Sequence, residues 1–116
     1  MDFNEYQKLA ATTDVGTAAQ DNIKPGWLYY ILGIGGETGE LIETVKKHFR
    51  DDYGKMTTER MDSIISEAGD IMWYLARLCS MFNIEFEEVF VTNCLKLAER
   101  KKKNMIHGDG DNREKE

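Results

Sequence analysis

The chain has 116 residues, enough for one domain with one modest core. Its 41% hydrophobic and 31% charged residues fit a soluble globular protein, and a single proline, Pro25, argues against a loop-rich β-sandwich. A formal net charge of −6 excludes a surface built to embrace a nucleic-acid polymer, yet leaves room for triphosphates whose charge a bound cation offsets locally.

Four helices are predicted and no strand. The first covers about residues 3–12 (FNEYQKLAAT), with Tyr6, Leu9 and Ala10 on one side. Residues 13–24 are small and polar and form a connection that Pro25-Gly26 closes. The second helix runs from about Trp27 to Phe49, with Leu28, Ile31, Leu32, Leu41, Val45 and Phe49 at helical spacing. Gly33, Gly35, Gly36 and Gly39 fall inside it. Each costs about 1 kcal/mol relative to Ala in a helix interior. Either another helix or a ligand approaches this backbone closely, or the helix breaks near Gly33 to Gly36.

Asp51 to Gly54 form a loop, and the third helix then runs from about Thr58 to Phe82, capped by Thr57 or Thr58. Between Ile71 and Cys79 its only charge is Arg77, so this helix is central or is covered by a second subunit. Asn83-Ile84 is a tight connection, which predicts that the fourth helix, from about Glu85 to Lys103, returns antiparallel to the third. The domain is therefore expected over 1–103, with 104–116 as an irregular tail. Cys79 and Cys94 both sit in apolar helical patterns and read as buried free thiols; there is no CxxC. No basic-then-apolar leader opens the chain and no apolar run reaches membrane-spanning length, which predicts a cytoplasmic protein that does not bind membranes.

The chemistry concentrates in two matched pairs, Glu37-Thr38-Gly39-Glu40 and Glu67-Ala68-Gly69-Asp70. Carboxylates three apart on a helix share a face. A lone pair of this kind usually marks a solvated face, but two of the same spacing, each beside apolar residues, would set four oxygen donors at one helix–helix seam. Carboxylates beside a core call for a partner or a metal, and a hard cation, Mg²⁺ or alternatively Mn²⁺, suits oxygen donors. Glu43 is a further ligand or outer acceptor on the same helix. A di-iron carboxylate bundle would need Glu-x-x-His pairs, and none occurs. His48 and His107 are isolated and lack zinc spacing, and GIGGETG is neither a P-loop nor a dinucleotide fingerprint.

The string GIGGETGELIETVKKHFR, followed later by EAGDIMWYL, resembles the MazG-type nucleoside triphosphate pyrophosphohydrolases. That all-α superfamily includes the dimeric dUTPases and the dCTP pyrophosphatases. Its signature is E-E-x-x-E, a spacer, then E-x-x-D. Glu37, Glu40, Glu67 and Asp70 stand at the matching places, and Gly36 replaces the first Glu. The resemblance implies a four-helix bundle-like fold and a Mg²⁺-dependent reaction, (d)NTP + H₂O → (d)NMP + PPi. It makes these four residues the metal ligands, with Glu37 or Glu40 as general base.

Late in the chain, Asn93-Cys94-Leu95-Lys96-Leu97-Ala98-Glu99-Arg100 is similar to a family N-x-x-K-L-x-x-R run that contacts substrate phosphates. Asn93, Lys96 and Arg100 share one helical face. A solvated basic helix end is the plainer account of them. Tyr74 resembles a family position that holds the substrate's sugar, and otherwise reads as a packed tyrosine. Trp27 and Trp73 are candidates to stack on a base, though core packing is the commoner role. Lys46 or Lys47 is a candidate to balance the acidic charge, with a surface role as the plainer account; the tail around Ile106–Arg113 resembles the ending of phage-associated family members, which implies folding over a bound nucleotide, and otherwise reads as disordered. A domain this small, with so apolar a third helix, is expected to be a homodimer or homotetramer. The competing reading is a non-enzymatic helical interaction module whose acidic cluster is surface charge or a structural cation site.

Overall fold

The computed structural model describes residues 1–111. In chain order it contains α1 (Phe3–Thr12), a short 3₁₀ turn (Thr17–Ala19), α2 (Gly26–Asp51), α3 (Thr58–Met81) and α4 (Phe86–Lys102), with no strand among the described residues. Local chemistry sets the boundaries. Asp2 and Glu5 close a capping box at the start of α1: the Asp2 carboxylate accepts from the Glu5 amide and the Glu5 carboxylate accepts from the Asp2 amide. Thr57 accepts from the Arg60 amide at 3.1 Å and starts α3. Asn83 and Asn104 take left-handed backbone, φ 54° and 56°, just past α3 and α4. Asn tolerates that region better than most residues.

The long helices α2 and α3 pack as an antiparallel pair. Gly33 faces Tyr74, Glu37 meets Glu67, and Asp52 just past α2 binds Arg60 at 2.8 Å. The expected break at the glycines does not occur: α2 is continuous. Only the close-approach explanation applies, and only at Gly33. A Cβ there would collide with the Tyr74 ring, whereas one at Gly35, Gly36 or Gly39 would meet nothing within 4 Å.

The core is small. Ala10, Ala76, Cys79 and Phe86 are buried together, with Tyr6, Met72, Trp73, Leu75 and Phe90 packed around them. Gln7 of α1 organises the α3–α4 turn. Its Nε2 donates to Ser80 Oγ at 3.1 Å and to the Ile84 carbonyl at 2.8 Å, and its Oε1 accepts from the Phe86 amide at 2.8 Å. Asn4 likewise accepts from the Glu87 amide. Glu85 makes no capping bond of its own, so two side chains of α1 satisfy the orphan donors of α4.

That capping corrects two expectations. α4 does not run back along α3. Its first turns dock on α1 and the end of α3, where Phe3 stacks on Phe90 with ring centroids 3.8 Å apart. Beyond Phe90, every α4 residue except Lys96 and Arg100 is exposed. The four helices therefore do not close into one bundle within the chain. The radius of gyration is 17.6 Å, against about 13 Å for a compact chain of this length. Cys94 is exposed because it lies on this projecting part, while Cys79 is buried as expected.

The connection before α2 is held by charge. Asp14 accepts from Arg77 Nε at 2.8 Å, from the Tyr30 hydroxyl at 2.6 Å and from the Gly16 amide at 2.8 Å. Burial alone would push this carboxyl up, but the three donors together hold it below its ordinary 3.8. Asp14→Asn is expected to cost about 3 kcal/mol, because it leaves the Arg77 charge partly buried without its counter-ion. A lowered carboxyl contributes stability that is present above the unfolded value and lost as the pH falls through the folded one. Urea unfolding should therefore show the wild-type advantage at pH 7 shrinking as the pH is taken below about 4.

Candidate metal centre

Helical spacing puts Tyr29, Gly33, Glu37, Glu40, Thr44 and His48 on one face of α2, and Glu67, Asp70 and Tyr74 on the opposing face of α3. The seam between them gathers the acids. Glu37, Glu67 and Asp70 each offer a carboxylate oxygen, all within 4.8 Å of one another. Glu37 and Glu67 are half-buried, and Asp70 is exposed. Three like charges at this distance oppose each other, and Glu37 bears the effect. Partial burial, the Asp70 charge, a hydrogen bond with Glu67, and the charges of Glu67 and Glu40 all push its carboxyl above the usual value. Every one of these acts in the same direction. A cation would reverse them, and an all-oxygen donor set suits a hard one.

Glu40 lies one turn along and is exposed, outside the trio, although its charge still reaches Glu37. Glu43 is engaged elsewhere: it pairs with Lys46 at 2.8 Å on the exposed side of α2. Neither therefore serves the trio as an added ligand or a balancing cation. His48 is buried under the far end of the pair, 3.6 Å from Asp52, with its Nδ1 lacking a hydrogen-bond partner. Tyr74 sits one turn beyond Asp70. Its phenol is pushed up by burial, by a hydrogen bond with Tyr29, and by the charges of Glu37 and Asp70. Tyr6 of α1, packed on the core beside Phe86, is also raised, first by burial and then by the Asp70 charge. Sequence reasoning missed Tyr29 and Tyr6. The spacing of Tyr29, Gly33 and Glu37 was the available signal for the first; the second comes from α1 and had none.

Trp73 donates to Thr13 Oγ1 at 2.7 Å and packs edge-on to Tyr74, and Trp27 lies against Phe82. Both are used in packing. Asn93, Lys96 and Arg100 do not join the acids within this chain, since α4 makes no contact with α2. Lys96 and Arg100 instead bind Asp111, at 2.9 and 3.0 Å, and Arg100 also donates to the Gly110 carbonyl at 3.1 Å. The tail thus packs back on α4 as far as Asp111; Asn112 and Arg113 lie outside the described residues.

This acidic seam coincides with a family pattern. Residues 28–105 match the model of the MazG nucleotide pyrophosphohydrolase domain. The chain belongs to the MazG family. Among curated proteins it is similar to the Gene 37 protein of Mycobacterium phage L5, with 38% identity over 115 residues that cover 97% of this chain and 100% of that protein. No solved structure matches it. The MazG match spans both acidic pairs, Tyr74 and the α4 cations, and the phage relative makes this a phage-type member. No helix among the described residues is long and apolar enough to cross a membrane.

Crowding of carboxylates has a measurable consequence. Without cations, Glu37→Gln should raise the melting temperature by about 3 °C, since it removes a charge that the fold disfavours. The penalty on wild type is full above the raised Glu37 value and is relieved as the pH falls, so the gap between the two proteins should narrow in acid. Adding Mg²⁺ at about 100 times its Kd should stabilise wild type by about 2.7 kcal/mol. Calorimetry should find Glu37→Gln gaining much less.

Proposed function

We propose that this chain is a Mg²⁺-dependent nucleoside triphosphate pyrophosphohydrolase, with Mn²⁺ as an alternative ion, that acts as a homodimer or homotetramer. The reaction is (d)NTP + H₂O → (d)NMP + PPi. The observation that carries the reading is the convergence of Glu37, Glu67 and Asp70 on one seam within the region matched by the family model. These three residues would hold the cation, with Glu40 joining from the next turn. Bound there, it supplies charge neutralisation for the triphosphate and an acidified water.

The chain's own groups supply the rest. Glu37 or Glu40 takes the proton of the attacking water. Support for Glu40 in that task comes from its place one turn outside the trio. Tyr74, beside the acids, receives the sugar. Asn93, Lys96 and Arg100 receive phosphate oxygens, for which the Arg100 fork and the Lys96 point charge are suited.

The oligomer follows from what one chain leaves undone. Leu28, Ile31, Ile42, Val45 and Phe49 lie on the side of α2 away from α3, and all are exposed, Ile42 by 63% and Phe49 by 68%. An apolar stripe of this length on a soluble helix marks an association surface. In addition, the phosphate-binding residues sit on an arm that does not reach its own carboxylates. Packing a second copy on α2 covers the stripe and lets one chain's α4 approach the other's seam. The family match favours this enzyme reading over a non-enzymatic interaction module.

Pyrophosphate release from a panel of (d)NTPs, with Mg²⁺ and with EDTA, tests the activity. Metal-dependent release is expected, and its absence for every triphosphate would sink the reading. Glu40→Ala and Asp70→Ala should each lower kcat by about 10²-fold or more while leaving the helical signal intact. Phe49→Glu should yield a monomer by light scattering and little turnover. If α4 acts across the interface of a dimer, mixing inactive Glu40→Ala with inactive Arg100→Ala should recover roughly a quarter of wild-type activity through hybrid dimers. Recovery of none would place both groups in one chain's site.

A further inference from the structure

We propose that the segment after α4 is a built-in competitor for the substrate: Asp111 holds the place between Lys96 and Arg100 that a phosphate oxygen would take, so a triphosphate binds this pair of cations only by displacing it. The inference rests on the proposed reading of Lys96 and Arg100 as phosphate contacts, and goes beyond it by giving the tail a regulatory task.

Local chemistry turns the chain back along the helix it has just left. α4 closes with a Schellman motif: Asn104 takes left-handed backbone, φ 56°, its amide donates to the Lys101 carbonyl at 3.2 Å, and the Met105 amide donates to the Arg100 carbonyl at 2.7 Å. Met105 is buried, which anchors the start of the tail. Gly110 supplies a second left-handed residue, φ 71°, directly before Asp111. Two reversals within one short segment bring a carboxylate alongside α4.

That carboxylate meets both cations with one atom. Asp111 Oδ1 accepts from Lys96 Nζ at 2.9 Å and from Arg100 Nη2 at 3.0 Å, and the same Nη2 donates to the Gly110 carbonyl at 3.1 Å. An oxygen shared by an ammonium and a guanidinium is how such a pair takes a phosphate oxygen. The helix itself does not favour it. Arg100 lies in the last turn of α4, where the dipole disfavours an anion, so the two side chains supply the attraction. They hold the Asp111 carboxyl below its ordinary 3.8, first through the bond to Lys96. With the tail in this position the Arg100 side chain is 13% exposed. An anion that binds Lys96 and Arg100 together must take the position that Asp111 fills.

The closure is light. Asp111 is 76% exposed, and an ion pair so open to water lowers the affinity for phosphate a few-fold rather than blocking it. A tail that folds over a bound nucleotide would add contacts to it. A tail whose acid occupies the cations, and carries the same sign of charge as the phosphates, subtracts them.

Inorganic tripolyphosphate with Mg²⁺ is the probe, because it has the charge of the substrate without sugar or base. Calorimetry on the full chain should find it bound about threefold more tightly by Asp111→Asn than by wild type. Arg100→Ala should bind it about tenfold more weakly, which locates the ion. In wild type the amide order parameters of Gly110 and Asp111, read by nuclear magnetic resonance, should fall as the ion is added. Equal affinity in Asp111→Asn and wild type would overturn the competition and leave the phosphate contacts standing. Weaker binding by Asp111→Asn, or order parameters that rise, would overturn it too, since the tail would then close over the ion. Undiminished binding in Arg100→Ala, or no binding by wild type and Asp111→Asn alike, would overturn the phosphate reading of α4 and this inference with it.

Discussion

The packing of α3 onto the bare backbone of α2 at Gly33 is the constraint from which the rest of the molecule follows. A glycine inside a 26-residue helix is unfavourable on helix propensity alone. Here it lets the Tyr74 ring of α3 lie against the α2 backbone, and that contact fits the register of what lies on either side. One turn above Gly33 and Tyr74, the register brings Glu37 to Glu67 and Asp70. Towards the other end of the pair it brings Asp52 to Arg60. The acids are therefore not a surface accident. The apolar and aromatic contacts of α2 with α3 hold three carboxylates together against their mutual repulsion, and the cost appears as the raised Glu37 carboxyl. Stability given up in this way at a site is what a fold does when ligand binding is to return it.

The same logic explains how opposite charges are used elsewhere. Asp14 collects three donors and anchors the loop before α2, and Asp52 is held by Arg60 at the loop before α3. Both carboxyls are lowered, Asp52 chiefly by its bond to Arg60. Fully partnered carboxylates sit at the structural joints, and poorly partnered ones sit at the seam. That segregation separates the carboxylates that hold the fold from those to which the proposed function assigns a cation.

Much of this was legible in sequence. The helix limits differ from expectation by no more than two residues at any end, because caps and left-handed turns at Asp2, Thr57 and Asn83 are local chemistry. The acidic pairs could be read from i, i+3 spacing, and the seam from their shared periodicity. The course of α4 could not. It is decided by Gln7 and Asn4, whose side chains cap a helix some 80 residues away, and nothing in the spacing of α4 encodes that. The exposure of Cys94 follows from the same long-range event. Nor could spacing say which of four glycines touches a neighbour, since that depends on the helix crossing rather than on the helix.

The departure of α4 is the feature of the fold on which the proposed assembly rests. A helix capped by another helix's side chains at one end and exposed beyond Phe90 has paid for order that a lone chain does not use. Its two half-buried cations face the chain's own Asp111, a carboxylate 76% exposed to solvent. An ion pair so open to water is worth little, at most about 1 kcal/mol. It holds the tail in place only while no stronger anion competes. A triphosphate, with several formal charges, is such an anion, and the proposed reaction would need carboxylates and cations to converge on one molecule. Within a single chain they do not converge. The exposed stripe of α2 and the cations of α4 are thus the two features that the proposed assembly would bring into use.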